Sequence, residues 1–400
     1  MNHTSQGGKM RVALDVRATL GGAVAGVGRY TVELIRELVA LAPPDLDLRL
    51  WLAGRRLALL QQALPPELQA LQERVPLQMT RLSNALLYRG PALAAWSRLP
   101  RWACPPLLPR DLDLYHAPFW PLPRDRKTPQ VLTIHDLIAV HHPQWVTGTM
   151  KAELAAIRRL APQAAVVLTD SEATRQDVLS HTRCRPEQVT TVHLGVGEEF
   201  LSFADEERLA ATRQKYALDR PYIVSLCTRE PRKNLGRLID AYDRLCEGEG
   251  PQWDLVLIGA AGWGEDTVAQ KISQPRRGRV RVTGYVPRED LPPLLAGAAV
   301  MGYVSLYEGF GLPPLEAMAT GCPVVVSNVS SLPEVVGEAG IMVDPLECEA
   351  IAEGLRQVLT DPARTADLGR RGRERAAQFT WRATAEKTLS AYRQATGVRP

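Results

Sequence analysis

Short runs rich in valine, leucine and isoleucine recur along the chain, and between them apolar residues return every three or four positions among charged ones. Runs of the first kind predict strands and stretches of the second predict amphipathic helices; their alternation predicts parallel sheets wrapped by helices. The front half offers RVALDV, LRLWLA, DLYHA, VLTIHD, AVVLTDS and VTTVHLG, and the back half YIVSLC, DLVLIG, VRVTGY, AAVMGYVSL, CPVVVSN and GIMVD. Between the two sets lies a charged, strand-poor segment, EEFLSFADEERLAATRQKYALDRPY, from Glu198 to Tyr222. The expected fold class is therefore α/β, with one doubly wound domain over residues 1–205 and a second over 219–378. The remaining segment, 379–400, carries Trp381, Ala385, Leu389 and Tyr392 at helical spacing, a stripe that must bury itself somewhere.

Composition narrows the class. A length of 400 residues suits two or three domains, and 45% hydrophobic with 23% charged residues is globular. The net charge of +4 is too small to announce a nucleic-acid partner. The opening MNHTSQGGKMRVALDV has no apolar stretch after a basic one, and no run approaches the roughly 18 apolar residues of a membrane span, so a cytoplasmic protein is expected. Cys104, Cys184, Cys227, Cys246, Cys322 and Cys348 are scattered, which suggests neither a zinc site nor a disulfide framework; buried thiols are expected.

In parallel sheets ligands bind beyond the carboxyl ends of the strands, and two facing halves would hold one in a cleft. The glycine-rich GGAVAGVGRY after the first strand does not spell a dinucleotide fingerprint. Its Gly28 stands where the next helix begins and would let backbone approach a phosphate or sugar, although a tight turn alone also explains the glycines. The stretch LYEGFGLPPLEAMATGCPVVVSN carries more chemistry. Pro313 and Pro314 suit a helix start and Gly321 its end, which puts Glu316 in the first turn and Glu308 in the loop ahead. Free N–H groups there would hold a diphosphate, and two ionised carboxylates, which only accept hydrogen bonds, would grip sugar hydroxyls.

EGFGLPPLEAMATGCPVVVSN resembles the E-x7-E signature of retaining, nucleotide-sugar-dependent glycosyltransferases of family 4, which have the GT-B fold of two Rossmann-like domains. TREPRKNLGRLIDAY, TIHDLIAVHHP, TDSEATRQDVL, VHLGVGEEF and GVGRYTVEL extend the resemblance to most of the chain outside roughly Gly54 to Arg110. It implies that Glu316 holds the nucleotide's ribose and Glu308 the donor sugar, while Gly309, Phe310, Gly311 and Leu312 line the sugar and phosphate. Lys233 with Arg232 would neutralise the leaving diphosphate, where charge develops in the transition state. His135 would touch the sugar from the front domain. Arg229 would be a second phosphate cation, though the Cys227-Thr228-Arg229 run departs from the family's glycine-containing pattern there. Tyr285 and Val286 would line the base pocket, unless they simply pack at a strand end. The final helix, 379–400, would return to the front domain.

The function these readings imply is retaining transfer of a hexosyl group to a hydroxyl acceptor. EPRKN is similar to a mannosyltransferase-like branch, so GDP-mannose is the first expected donor. No metal or other cofactor is expected, since no D-x-D stands at a strand end and basic residues with a helix end can replace a cation. The alternatives are an inverting transferase or epimerase in the same cleft, or a nucleotide-sugar-binding regulatory subunit. The segment 55–110 carries Arg55, Arg56, Arg74, Arg81, Arg89, Arg98, Arg101 and Arg110 with Trp96 and Trp102 against only Glu67 and Glu73. It would either pack on the front domain or contact an anionic inner membrane face, consistent with a lipid-linked acceptor.

Overall fold

The computed structural model describes residues 9–20, 26–81, 98, 108–109, 111–119, 128–247, 253–262, 266–274 and 277–398. Two compact units emerge, one of residues 1–195 with 381–400 and the other of 196–380.

The first unit is built on a parallel sheet of β1 (Met10–Asp15), β2 (Leu46–Gly54), β3 (Leu77–Arg81), β4 (Leu114–Ala117), β5 (Gln130–Ile134), β6 (Val166–Thr169) and β7 (Val189–Thr191). Their order among the described residues is β3-β2-β1-β4-β5-β6-β7. The order reverses direction between β1 and β4, which is where a crevice opens beyond the strand ends. Helix Val27–Leu41 follows β1 and turns Tyr30, Leu34, Ile35 and Leu38 into the core. Its start is set by Gly26 at φ 52°, a left-handed conformation open to glycine, so Gly28 is its second residue. Against it packs helix Trp381–Thr396, whose Trp381, Ala385, Leu389 and Tyr392 are all buried. Arg393 there pairs with Asp45 at 2.8 Å, and the Tyr392 hydroxyl meets Nδ1 of His116 at 2.7 Å.

The second unit repeats the scheme with β8 (Tyr222–Leu226), β9 (Asp254–Ile258), β10 (Val280–Gly284), β11 (Val300–Tyr303), β12 (Val324–Ser327) and β13 (Ile341–Val343) in the order β10-β9-β8-β11-β12-β13. Its switch lies between β8 and β11. The central strands β8, β9, β11 and β12 are almost wholly buried, which is why they read as unbroken apolar runs. The boundary differs from the expected one: residues 196–205 belong to the second unit. Val196 donates its N–H to the Phe379 carbonyl at 3.0 Å, Phe200 is buried under the Arg288 guanidinium, and Glu199 pairs with Arg288 at 2.7 Å. One charge of this segment, that of Glu199, thus ties it to the second unit.

Cys184, Cys227, Cys246 and Cys322 are free and buried, and Cys348 is half-buried. Within the described residues no helix is long and apolar enough to cross a membrane. Of the arginines in 55–110, Arg55, Arg56, Arg74, Arg81 and Arg98 are exposed, whereas Arg89, Arg101, Arg110, Trp96, Trp102 and Cys104 lie outside the described residues.

Candidate active site

The two strands that flank the switch of the second unit each deliver one half of a charged cluster. After β8 the chain makes a 3-10 turn, Pro231–Lys233, and Asn234 closes it at φ 57° with its side-chain amide donating to the carbonyls of Val304 and Pro345, at 3.0 and 2.7 Å. This clamps Arg232 and Lys233 to the loop that leaves β11. In that loop Glu308 is 7% exposed and accepts from Lys233 Nζ at 2.6 Å and from the Tyr303 hydroxyl at 2.9 Å on one oxygen, and from Arg232 Nη1 at 2.7 Å on the other. Lys233 also reaches the Tyr303 hydroxyl at 2.8 Å. Burial opposes the ionised carboxylate, but Lys233 and Arg232 outweigh it and hold Glu308 down at about 2. Arg232 also turns its Nε to Glu230 at 2.9 Å, so the cluster at the mouth of the sheet sets Lys233 and Arg232 between two carboxylates, with both cations placed to meet an anion.

The loop is stiffened from below. The Glu308 N–H donates to Ser330 Oγ at 3.0 Å, and the Ser331 hydroxyl lies 3.0 and 2.7 Å from the carbonyls of Glu308 and Phe310. Gly311 caps the following helix at φ 115°, where a β-carbon would come within 2.8 Å of Leu332 Cδ2. The helix runs Leu312–Thr320 and stops at Gly321, as the prolines and glycine imply. Because it begins at Leu312 and not at the prolines, Glu316 lies in its second turn and not its first. Glu316 is buried and takes a 3.1 Å ion pair from Arg288, whose guanidinium also stacks 4.9 Å over Phe200.

The remaining expected residues divide. Phe310 and Val286 are buried, with Phe310 set edge-on to Phe379, whereas Tyr285 is 62% exposed. Gly309 stays within the loop between Glu308 and the helix start. Arg229 is half-buried, with its backbone bridged to Ala261. The second cation on Glu308 is Arg232.

In the first unit His135 stands one residue beyond β5, with Tyr30 edge-on at 5.0 Å. Its Nδ1 is 2.6 Å from Asp170 Oδ2, at the end of β6, and its Nε2 is 2.7 Å from the Pro118 carbonyl, just past β4. Both ring nitrogens face acceptors, so the imidazolium satisfies both at once. Burial disfavours that charge, yet Asp170, the Pro118 carbonyl and Asp136 raise His135 above the ordinary histidine range. Contact with a sugar would exchange one of these two bonds. His116, by contrast, is pushed down to about 3 by burial and binds Tyr392 and Thr133 as a neutral core residue.

Comparison with known proteins agrees with this layout. A model of "Glycosyltransferase Family 4" matches residues 24–200, and one of "Glycosyl transferases group 1" matches 210–375. The chain is 34% identical over 383 residues to the O-antigen chain mannosyltransferase B of Escherichia coli, covering 92% of this chain and 96% of that one. The chain belongs to glycosyltransferase family 4. This family 4 glycosyltransferase is therefore an enzyme that moves a hexosyl group from a nucleotide sugar. It is also 30% identical over 268 residues to the serotype-specific mannosyltransferase WbdA of Escherichia coli, a protein of which it spans only 33%. Among solved structures, Anabaena HepE in complex with UDP and glucose is similar at a TM-score of 0.68 and 20% identity, covering 95% of this chain and 98% of that one, which shows the GT-B fold.

Sequence reasoning missed several supporting residues of the glycosyltransferase. Tyr303 and Arg288 anchor the two glutamates, Ser330 and Ser331 hold the loop, and Asp170 orients His135. Asp170 had a signal, since it follows its strand as Asp136 follows β5. Arg288 had none, because nothing in a charged PRED tetrapeptide marks which residue turns inward.

Proposed function

We propose that the enzyme transfers mannose from GDP-mannose to a hydroxyl of a sugar or lipid-linked sugar acceptor, with retention at the anomeric carbon and without a metal ion. The observation that carries the reading is the buried Glu308 held between Lys233 and Arg232 at the switch point of the second unit. A donor diphosphate would be met there by two cations fixed before it arrives, and these would stabilise the negative charge that grows as the sugar–phosphate bond breaks. Glu308 stays ionised through the neutral range, so it serves as a hydrogen-bond acceptor for donor hydroxyls and not as a proton donor. Glu316, aimed by Arg288, would accept the ribose hydroxyls. The departing phosphate oxygen would take the acceptor's proton on the same face of the sugar. His135 is proposed as a sugar contact of the first unit. The mannose assignment is supported by the similarity to the O-antigen chain mannosyltransferase B.

The test is a panel of GDP- and UDP-sugars, read first by thermal shift and then by transfer to a synthetic acceptor in the presence of a chelator. GDP-mannose should stabilise the protein most and give an α-linked product by NMR. Stabilisation by a UDP-sugar alone would overturn the donor, a β-linked product would favour the inverting reading, and activity lost with the chelator would overturn metal independence. The basic segment 55–110 supports a membrane-proximal acceptor. Co-sedimentation with anionic but not neutral vesicles at low salt is expected, and protein left in the supernatant would favour a soluble acceptor.

A further inference from the structure

We propose that His141, Asp177 and His181 form a surface site for a borderline transition-metal ion, Zn²⁺ or Ni²⁺, that fastens together two segments of the first unit. Helix Glu172–His181 begins at Ser171, whose hydroxyl accepts from the Thr174 N–H at 3.1 Å. Asp177 and His181 are four residues apart on it and so share one face, one turn from each other. His141 ends the short helix Ile138–His141 and comes to that face from a different part of the chain. Its Nε2 lies 2.7 Å from Asp177 Oδ1, and its ring stands edge-on to the ring of His181 with centroids 5.8 Å apart. One ligand atom from each of the three lies within 4.8 Å of the others.

A tetrahedral zinc with bonds of about 2.0–2.1 Å spaces its ligand atoms about 3.4 Å apart. Small side-chain rotations close the remaining gap, and His141 is exposed enough to make them. Two imidazoles and one carboxylate, with a fourth position open to water, select zinc, nickel or cobalt over magnesium and calcium, which prefer all-oxygen shells. The consequence lies in what the two helices carry at their other ends. Helix Glu172–His181 starts two residues after Asp170, and helix Ile138–His141 starts three residues after His135. An ion held by all three ligands therefore ties the segment bearing His135 to the segment bearing its partner Asp170, which meet at 2.6 Å. It acts on stability and order, outside the charged cluster of the second unit.

The experiment uses tag-free, chelator-treated full-length protein titrated with Ni²⁺ and Zn²⁺ by calorimetry, with thermal shift in parallel. One equivalent should bind and raise the melting temperature, while Mg²⁺ should do neither. His181→Ala and Asp177→Asn should each weaken binding at least about tenfold, the loss expected for a ligand given what second-shell changes alone cost. His142→Gln is the control, because that ring stacks on Trp145 at 4.1 Å and faces another group. No binding by the wild type, equal binding by the His181 and Asp177 variants, or an equal response to Mg²⁺ would each overturn the proposal.

Discussion

At the scale of single residues the proposed chemistry turns on one carboxylate. Glu308 titrates at about 2 in the folded chain against an ordinary 4.5. A folded value below the unfolded one means that its stabilisation is complete above pH 4.5 and is lost as pH falls towards 2. Glu308→Gln should therefore flatten that limb of the stability curve, measured by urea unfolding at stepped pH, and should also lower turnover by removing the carboxylate that Lys233 and Arg232 share. Lys233→Met should slow turnover about a hundredfold while changing nucleotide affinity much less. Arg288→Ala should act in the opposite sense. By releasing Glu316 it should raise the donor KM about tenfold or more with kcat changed less, the cost of a charged hydrogen bond, and Arg288→Lys should restore part of it. His135 has its folded pKa above the ordinary value, so its contribution is present below pH 6.5 and is lost as pH rises through the folded value. NMR titration of the ring should show the raised pKa fall in Asp170→Asn.

Elements were more legible than their supports. The strand expectations all correspond to strands, because buried parallel strands must be apolar on both faces and so stand out. The exception is β3, Leu77–Arg81, which passed unnoticed. It is short, lies at the edge of its sheet and buries none of its residues, so the alternation of Leu77 and Met79 with polar residues in LQMTR is a weak apolar signal. The helix Leu312–Thr320 was visible through Pro313, Pro314 and Gly321, whereas its true start at Leu312 depends on Gly311 taking a left-handed conformation next to Leu332, which no residue pattern announces. The same logic explains why Glu308 and Lys233 were legible and Tyr303 was not: the first two sit in a recognisable motif, and the third is one apolar-looking strand residue among several. Gly311→Ala should strain that start, destabilising the protein by about 1–3 kcal/mol and displacing Glu308, seen as lower turnover alongside a lower Tm.

For the molecule as a whole, the helix Trp381–Thr396 is the last part of the first unit, completing a core whose other members come from the first half of the chain. Tyr392→Phe would leave Nδ1 of the buried His116 without its partner and should cost about 1–3 kcal/mol in global unfolding. Removing residues 381–400 should uncover Tyr30, whose ring lies 6.4 Å from that of Trp381, leaving the first unit open to protease while residues 196–380 stay resistant.

This discontinuity dictates an order of events during synthesis. Domains usually fold in the order in which they leave the ribosome. Here the second unit, being one unbroken stretch, is complete before the first, which must wait until Arg393 emerges to reach Asp45, 348 positions behind it. Until then the earliest-made sheet has no cover over helix Val27–Leu41, so nascent chains stalled near residue 380 would be the ones that chaperones hold longest.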